Sequence, residues 1–177
     1  MRRAQQGERG AFDALVALHG RLVLSIARRI LGDGPDAEDA AQEAFLRLYK
    51  AIGKVDPERP FEPWVVRVAV NAARSARAGR PARREESLDV DPAATGAEHA
   101  PDGALARRQL RAAIDEAKET LPRREREIFV LRDEEGLPVE TIAAALGLSD
   151  VTVRRHSTEA RRRLAAWLRA NRPELLR

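Results

Sequence analysis

The sequence of 177 residues predicts an all-α protein in which an acidic, flexible linker joins two small helical domains. Aromatic residues make up only 4% of the chain, while alanine, leucine and arginine are abundant, a composition that favours helices over sheets. Apolar residues recur at helical spacing on both sides of one central segment, which has almost no side chains to bury. The predicted boundaries are residues 1–84, 85–104 and 105–177.

Three helices are predicted in the N-terminal domain, each from an apolar stripe. The first carries Phe12, Ile26 and Ile30 on one face. The second covers about residues 36–52, and its acidic first turn suits the positive end of the helix dipole. The third covers about residues 60–79, where glycine and proline stop it.

Four helices are predicted after the linker, and the linker itself is marked by two prolines, two glycines and six acids without a base. The third of these helices covers residues 138–146, because proline is well tolerated in a first helical turn. The last covers about residues 150–170. Between them lie Gly147, which suits a turn, and Ser149, which is a good N-cap.

The segment 141–164 has the pattern of a helix-turn-helix motif, since a short helix and a turn precede a helix rich in arginine. We expect Ile142 to pack on Val153. The polar face of the last helix would then point toward solvent. Such a helix fits the major groove, where arginine can donate two hydrogen bonds to guanine. An ordinary helical hairpin with a solvated basic face is the alternative. The exposed DNA-binding candidates are Thr152, Arg154, Arg155, His156, Arg161 and Arg162.

The third helix indicates a second nucleic-acid surface, because residues 63–84 hold six arginines and no acid. Phe61 and Trp64 begin this helix, and Asn71 adds an amide to an otherwise apolar stretch. Charge, flat rings and an amide together suit unstacked bases. A solvated basic face is the alternative, and Trp64 taken alone would indicate core.

The second helix is acidic, with five acids and no base in residues 33–46. Asp36, Asp39 and Glu43 would share one helical face. Their spacing does not fit a calcium loop, which needs alternating ligands in a turn. The residues alone leave open whether this face is solvated or docks a basic protein partner.

Composition excludes several classes of protein. The chain has no cysteine, which rules out disulfides, thiolate metal sites and cysteine nucleophiles. Its three histidines lie far apart, so we expect no metal and no cofactor. No apolar run approaches the roughly 20 residues of a membrane span, and the N-terminus does not resemble a signal peptide. We expect a soluble, cytoplasmic protein.

Three blocks, in this order, resemble an extracytoplasmic-function (ECF) sigma factor of bacterial RNA polymerase, in the sigma-70 family. Residues 36–49 are similar to the family's core-polymerase-binding helix. Residues 61–71 resemble the helix that opens and recognises the minus-ten element. Residues 121–153 resemble the domain that recognises the minus-thirty-five element. The family usually has a large apolar residue where this chain has Ser157.

The resemblance implies promoter-specific transcription initiation without bond chemistry or a small-molecule substrate. The implied partners are the clamp helices of the polymerase's largest subunit, promoter DNA in duplex and melted form, and an anti-sigma protein. The implied polymerase contacts are Asp36, Glu38, Asp39, Gln42, Glu43 and Phe45. The implied minus-ten contacts are Phe61, Trp64, Arg67, Asn71, Arg74, Arg77 and Arg80. The implied minus-thirty-five contacts are Arg126, Ser149, Thr152, Arg154, Arg155, His156, Arg161 and Arg162.

Two other classes compete with this interpretation. A stand-alone helix-turn-helix repressor would need a dimerisation element to match a palindromic site, and no apolar face is left for one. A metal-dependent nuclease could use the acidic cluster, but paired histidines, a glycine-rich phosphate loop and a convincing nucleophile are all missing. The sigma factor is therefore the favoured hypothesis.

Overall fold

A computed structural model describes residues 1–8, 10–79 and 101–176 of the chain. The described residues contain helices and no strand, which confirms the predicted all-α class. Short 3-10 turns at Ile52–Lys54 and Pro173–Leu176 and a π-helical turn at Val130–Glu134 join or extend the helices. The α-helices are α1 (Arg2–Gln5), α2 (Ala11–Leu31), α3 (Pro35–Ala51), α4 (Glu62–Gly79), α5 (Pro101–Glu119), α6 (Arg123–Phe129), α7 (Val139–Leu146) and α8 (Asp150–Asn171).

Helices α2, α3 and α4 pack against one another in pairs to form the N-terminal half. Their fully buried side chains include Val23, Ile26, Val66 and Val70. The buried stripe of α3 consists mainly of alanines, together with Leu48. Because alanine is small, this stripe allows close helix approach while the acidic face of α3 stays in solvent.

The C-terminal half contains the predicted helix-turn-helix, formed by α7 and α8. Gly147 ends α7 in the left-handed region at φ +66°, a conformation that glycine adopts without strain. Ser149 is the N-cap of α8 and accepts a hydrogen bond from the backbone N–H of Thr152 at 3.2 Å, as predicted. Ile142 and Val153 are completely buried, in agreement with the expected packing.

Helix α5 begins at Pro101, so the last four residues of the predicted linker are helical. Residues 85–100 of that linker lie outside the described residues. The short helix α1 and the π-helical turn were not predicted from the sequence. Among the helices that the structure describes, none is long and apolar enough to cross a membrane.

The two halves share one continuous apolar core, a feature that the sequence did not predict. Helix α4 packs on α7, and α2 packs on the π-helical turn. The shared cluster joins Val66 and Val70 of α4 to Ile128, Leu131 and Ile142 of the C-terminal half. Since domains of about 70–80 residues bury only about 60% of their unfolded surface, a shared core adds stability to both.

A smaller core attaches α5 to α8 and is reinforced by Arg126. Ala117 and Leu121 pack there with Ala160 and Leu164. The Arg126 guanidinium donates hydrogen bonds to the carbonyl oxygens of Lys118, Glu119 and Leu121 at 2.8, 2.7 and 3.2 Å. Lys118 and Glu119 are the last two residues of α5, and Leu121 follows in the turn to α6, so all three carbonyls lie where the chain leaves the helix. Arg126 therefore caps α5 in this fold.

We predict that Arg126→Ala lowers the free energy of unfolding by about 1–3 kcal/mol, because three carbonyls lose a charged donor. Thermal or urea denaturation followed by circular dichroism measures this change. Arg169→Ala is the matched control, since Arg169 is an exposed arginine of α8. Equal stability of the two variants would contradict the capping role.

Candidate functional site

The acidic face of α3 is the first predicted surface, and the structure exposes most of it. Asp36 and Glu38 lie in the first turn. Glu38 accepts a hydrogen bond from Arg28 at 3.3 Å, and Glu43 pairs with Arg47 at 2.8 Å. Asp36 is half-buried, and the exposed predicted contacts are Glu38, Asp39, Gln42 and Glu43.

An apolar groove adjoins this acidic face, between α2 and α3. Phe12, Val16 and Phe45 line it. Leu46 and Tyr49 line it too, yet they are 52% and 62% exposed. The sequence prediction included only Phe45 and Gln42 from this groove. Leu46 and Tyr49 could have been found because they are large apolar residues off the alanine stripe of α3.

The start of α4 carries a cluster of aromatic rings. Phe61 and Trp64 have ring centroids 5.3 Å apart, and His19 of α2 lies 5.4 Å from Phe61. All three are half-buried. Burial lowers the pKa of His19, although nearby Glu62 acts in the opposite direction. The cluster is thus accessible on one side and packed on the other.

The arginines of α4 bind to the C-terminal half of the chain. The Arg67 guanidinium donates hydrogen bonds to the carbonyl oxygens of Ala144 and Ala145 at 2.6 and 2.9 Å, at the end of α7. Arg74 donates two hydrogen bonds of 2.6 Å to the Glu127 carboxylate. These two predicted minus-ten contacts are therefore occupied by groups of the protein itself.

Asn71 and Arg77, two further predicted minus-ten contacts, also have partners within the protein. The Asn71 Oδ1 atom accepts a hydrogen bond from Arg74 at 3.1 Å. Arg77 donates to the Ile30 carbonyl at 2.7 Å and forms an ion pair with Glu119. Arg80, the remaining predicted contact, lies outside the described residues.

Glu127 is the centre of a compact charge cluster in this junction. Its side chain is only 4% exposed. Besides Arg74, it contacts Arg124 at 3.3 Å and Arg123 at 3.8 Å. A buried carboxylate is stable only when it is paired and hydrogen-bonded, so the cluster fixes α4 against α6.

A second charge cluster crosses the junction at α2. The Arg29 guanidinium contacts Glu135 at 2.5 Å and Glu134 at 3.6 Å. Ser25 donates a hydrogen bond to Glu135 at 2.6 Å, and buried Lys118 contacts Glu134 at 2.9 Å. No sequence pattern predicted the contacts of Ser25 and Arg29 with Glu135, because these partners lie 110 and 106 residues apart.

The first two turns of α8 hold four of the predicted minus-thirty-five contacts. Arg154 and Arg155 are exposed, while Thr152 and His156 are half-buried. Val151 was not predicted, yet it is 76% exposed at the start of the helix. Its apolar side chain in the otherwise polar first turn is the signal that could have identified it.

The other members of this predicted set have partners inside the protein. Arg161 contacts Asp133 at 2.5 Å, and Arg162 contacts Glu159 at 2.9 Å. Arg126 is 15% exposed in the capping position described above. The hydroxyl oxygen of Ser149 accepts the capping hydrogen bond from the backbone N–H of Thr152 and also lies 2.8 Å from the Oγ1 atom of Thr152.

The acidic residues do not form a metal site in the part of the chain that the structure describes. No group of three or more His, Asp or Glu side chains there is placed to hold a metal ion. The carboxylates of α3 point outward along a helix face instead of converging. This arrangement suits contact with a protein surface better than coordination of an ion.

Comparisons with known proteins match both halves. Residues 15–81 match sigma-70 region 2, and residues 111–164 match sigma-70 region 4. The chain is 33% identical to the RNA polymerase sigma-H factor of Pseudomonas aeruginosa, covering 90% of this chain and 86% of that protein. It is 32% identical to the ECF RNA polymerase sigma-E factor of Escherichia coli K12, covering 90% of this chain and 87% of that protein.

The fold is also similar to a solved structure, that of CnrH in complex with the cytosolic domain of CnrY. The TM-score is 0.73 at 28% identity, and the match covers 96% of this chain and 94% of CnrH. The chain belongs to the sigma-70 family. Within that family it is an ECF sigma factor, which directs promoter-specific transcription initiation by RNA polymerase. Sigma factors are not enzymes.

Proposed function

We propose that three surfaces divide the work of initiation: α3 binds core polymerase, α4 recognises the minus-ten element and α8 recognises the minus-thirty-five element. The observation that carries the proposal is the separation of charge among these helices. The outer face of α3 is acidic, whereas α4 and α8 are rich in arginine. One face therefore suits a basic protein and two suit nucleic acid.

The proposed polymerase surface combines the acidic face of α3 with the adjoining apolar groove. Exposed Leu46 and Tyr49 would supply the apolar centre of an interface, and Asp39 and Glu43 its charged rim. A basic, amphipathic helical partner complements both features. The clamp helices of the largest subunit are the proposed partner.

The proposed minus-ten surface uses rings for bases and arginines for phosphates. Phe61 and Trp64 offer flat faces for an unstacked base, and Asn71 offers an amide for its edge. Arg67 and Arg74 would neutralise the melted backbone after exchanging their present partners, the α7 carbonyls and Glu127, for phosphates.

The proposed minus-thirty-five surface is the first two turns of α8. Arg154 and Arg155 can donate to guanine, and exposed Val151 can contact a thymine methyl group. Thr152 completes this set of side chains at the N-terminal end of the helix, where recognition helices contact base edges.

We further propose that the chain acts in the cytoplasm, does no bond chemistry and needs no cofactor. A regulatory protein of the anti-sigma class is a proposed partner, because the similar protein CnrH was solved in complex with a second protein, the cytosolic domain of CnrY. The exposed groove and acidic face of α3 would suit such a partner as well as polymerase.

We predict that Asp39→Lys weakens binding to core polymerase about tenfold, because one charge is reversed in the interface. Competition against a second sigma factor for a limiting amount of core polymerase measures the change. Glu174→Lys is the matched control, since it reverses an exposed acid in the C-terminal turn. Equal competition by both variants would exclude this face of α3 as the dock.

We predict that Arg155→Ala loses about 1–3 kcal/mol at a single base pair of the promoter and relaxes the preference there. A binding scan over promoter variants with reconstituted holoenzyme measures it, with Arg169→Ala as control. Uniform weakening across all sequences would place Arg155 on a phosphate. An unchanged scan would remove it from the DNA face.

A further inference from the structure

We propose that Glu159 recognises a cytosine in the minus-thirty-five element, beside the base pair that Arg155 contacts. This inference rests on the proposed function of α8 and extends it to a residue in the third turn of that helix. The sequence of α8 contains six arginines and only two acids, Asp150 and Glu159. Asp150 lies in the first turn, where the helix dipole favours an acid. Glu159 lies in the middle of the helix, where the dipole gives no reason for an acid.

Helical spacing places Glu159 on the face of α8 that is proposed to enter the major groove. It follows Arg155 by four positions and Thr152 by seven, and residues at this spacing share one face of a helix. An acidic side chain therefore lies within the basic DNA-binding face, one turn beyond Arg155. The side of α8 that packs on the protein is a different one, formed by the buried residues Val153, Ser157, Ala160, Leu164 and Leu168.

The Glu159 carboxylate is held at one oxygen and open at the other. The Nε and Nη2 atoms of Arg162 both donate hydrogen bonds to its Oε2 atom, at 3.1 and 2.9 Å. Its Oε1 atom has no hydrogen-bond partner within the part of the chain that the structure describes, and the side chain is 42% exposed. An exposed ion pair of this kind adds little stability. The arrangement instead leaves an oriented acceptor free for a ligand.

A carboxylate in the major groove discriminates among bases, because most groups there repel it. Guanine presents two acceptors, N7 and O6, and thymine presents the acceptor O4. Adenine has an amino donor, but its N7 acceptor lies beside that donor. Cytosine presents the N4 amino group with no acceptor next to it on the same base. A carboxylate oxygen is therefore satisfied by cytosine and loses its water without compensation opposite the other bases.

The spacing of Arg155 and Glu159 along α8 fixes the spacing of their base pairs. Cβ atoms four residues apart on a helix lie about 5–6 Å from each other. Successive base pairs are separated by about 3.4 Å along the duplex. Glu159 therefore contacts a C·G pair that lies one or two steps from the pair contacted by Arg155.

The test selects promoter sequences with holoenzyme reconstituted from core polymerase and the full chain. A duplex promoter library with a randomised upstream motif is bound at limiting holoenzyme, and the bound fraction is sequenced. The wild-type protein is compared with Glu159→Ala and Glu159→Gln, and circular dichroism verifies that the variants remain helical. Glutamine is the informative replacement, since its amide both accepts from and donates to adenine, whereas a carboxylate only accepts.

We expect the wild-type holoenzyme to prefer C·G at this position about tenfold over the other base pairs. Glu159→Ala should abolish that preference, and Glu159→Gln should shift it toward A·T. The preference at the position contacted by Arg155 should stay the same in both variants. A change in the preferred base distinguishes recognition from a structural role, because a residue that only stabilises the helix would not produce it.

Three further variants separate the alternatives. Glu174→Gln is the matched control, since it neutralises an exposed acid outside α8 and should leave every preference unchanged. Arg162→Ala removes the partner that holds the Glu159 carboxylate. Arg155→Ala tests independently whether α8 contacts the bases of the upstream motif.

An unchanged motif in both Glu159 variants, together with a motif altered by Arg155→Ala, would overturn the role of Glu159 and leave the proposed function of α8 intact. If Arg155→Ala also leaves the motif unchanged, the proposed function fails together with this inference. Uniformly tighter binding of both Glu159 variants to all sequences would overturn base recognition, because Glu159 would then only repel phosphates. Loss of the same guanine preference in Glu159→Ala and Arg162→Ala would overturn direct contact, because Glu159 would then only orient Arg162.

Discussion

The salt bridge between Arg74 and Glu127 connects the two halves of this sigma factor, and Glu127 is the most buried charged residue in the part of the chain that the structure describes. A carboxylate with so little access to water is stable only when positive groups compensate its charge. Arg123 and Arg124 also face the Glu127 carboxylate, so this site has more positive than negative charge. The position of α4 on α6 and α7 follows from satisfying that carboxylate, together with the shared apolar core.

The side chains at the junction between the two halves contribute both to stability and to the proposed minus-ten surface. Each half is small, and the shared core increases what each can bury. The same contact occupies Arg67 and Arg74, which are the proposed phosphate ligands of the minus-ten surface. The acidic face of α3 and the outer face of α8 remain exposed, so neither is involved in this contact.

Much of the fold could be predicted from the sequence, because helices leave local signals. The helical spacing of apolar residues predicted α2, α3 and α4. Ser149 predicted the start of α8, because its capping hydrogen bond joins residues only three positions apart. Ion pairs between residues far apart in sequence leave no local pattern of this kind. The partner of Arg74 lies 53 residues away on another helix. Arg126 resembled a DNA contact by its charge, but its hydrogen bonds go to the end of α5. Ser157 is buried at a position where the family usually has a large apolar residue. The helical spacing predicts that this position is buried, but it does not explain why a serine occupies it.

Reconstituted transcription tests the central claim most directly, that this chain gives core polymerase its promoter specificity. The purified protein would be added to sigma-free bacterial core polymerase with fragmented genomic DNA, and the transcript starts sequenced. We predict discrete starts that share two upstream motifs, one for α4 and one for α8. Starts no different from those of core polymerase alone, together with tight binding of the free chain to duplex DNA, would contradict the account and indicate a stand-alone regulator.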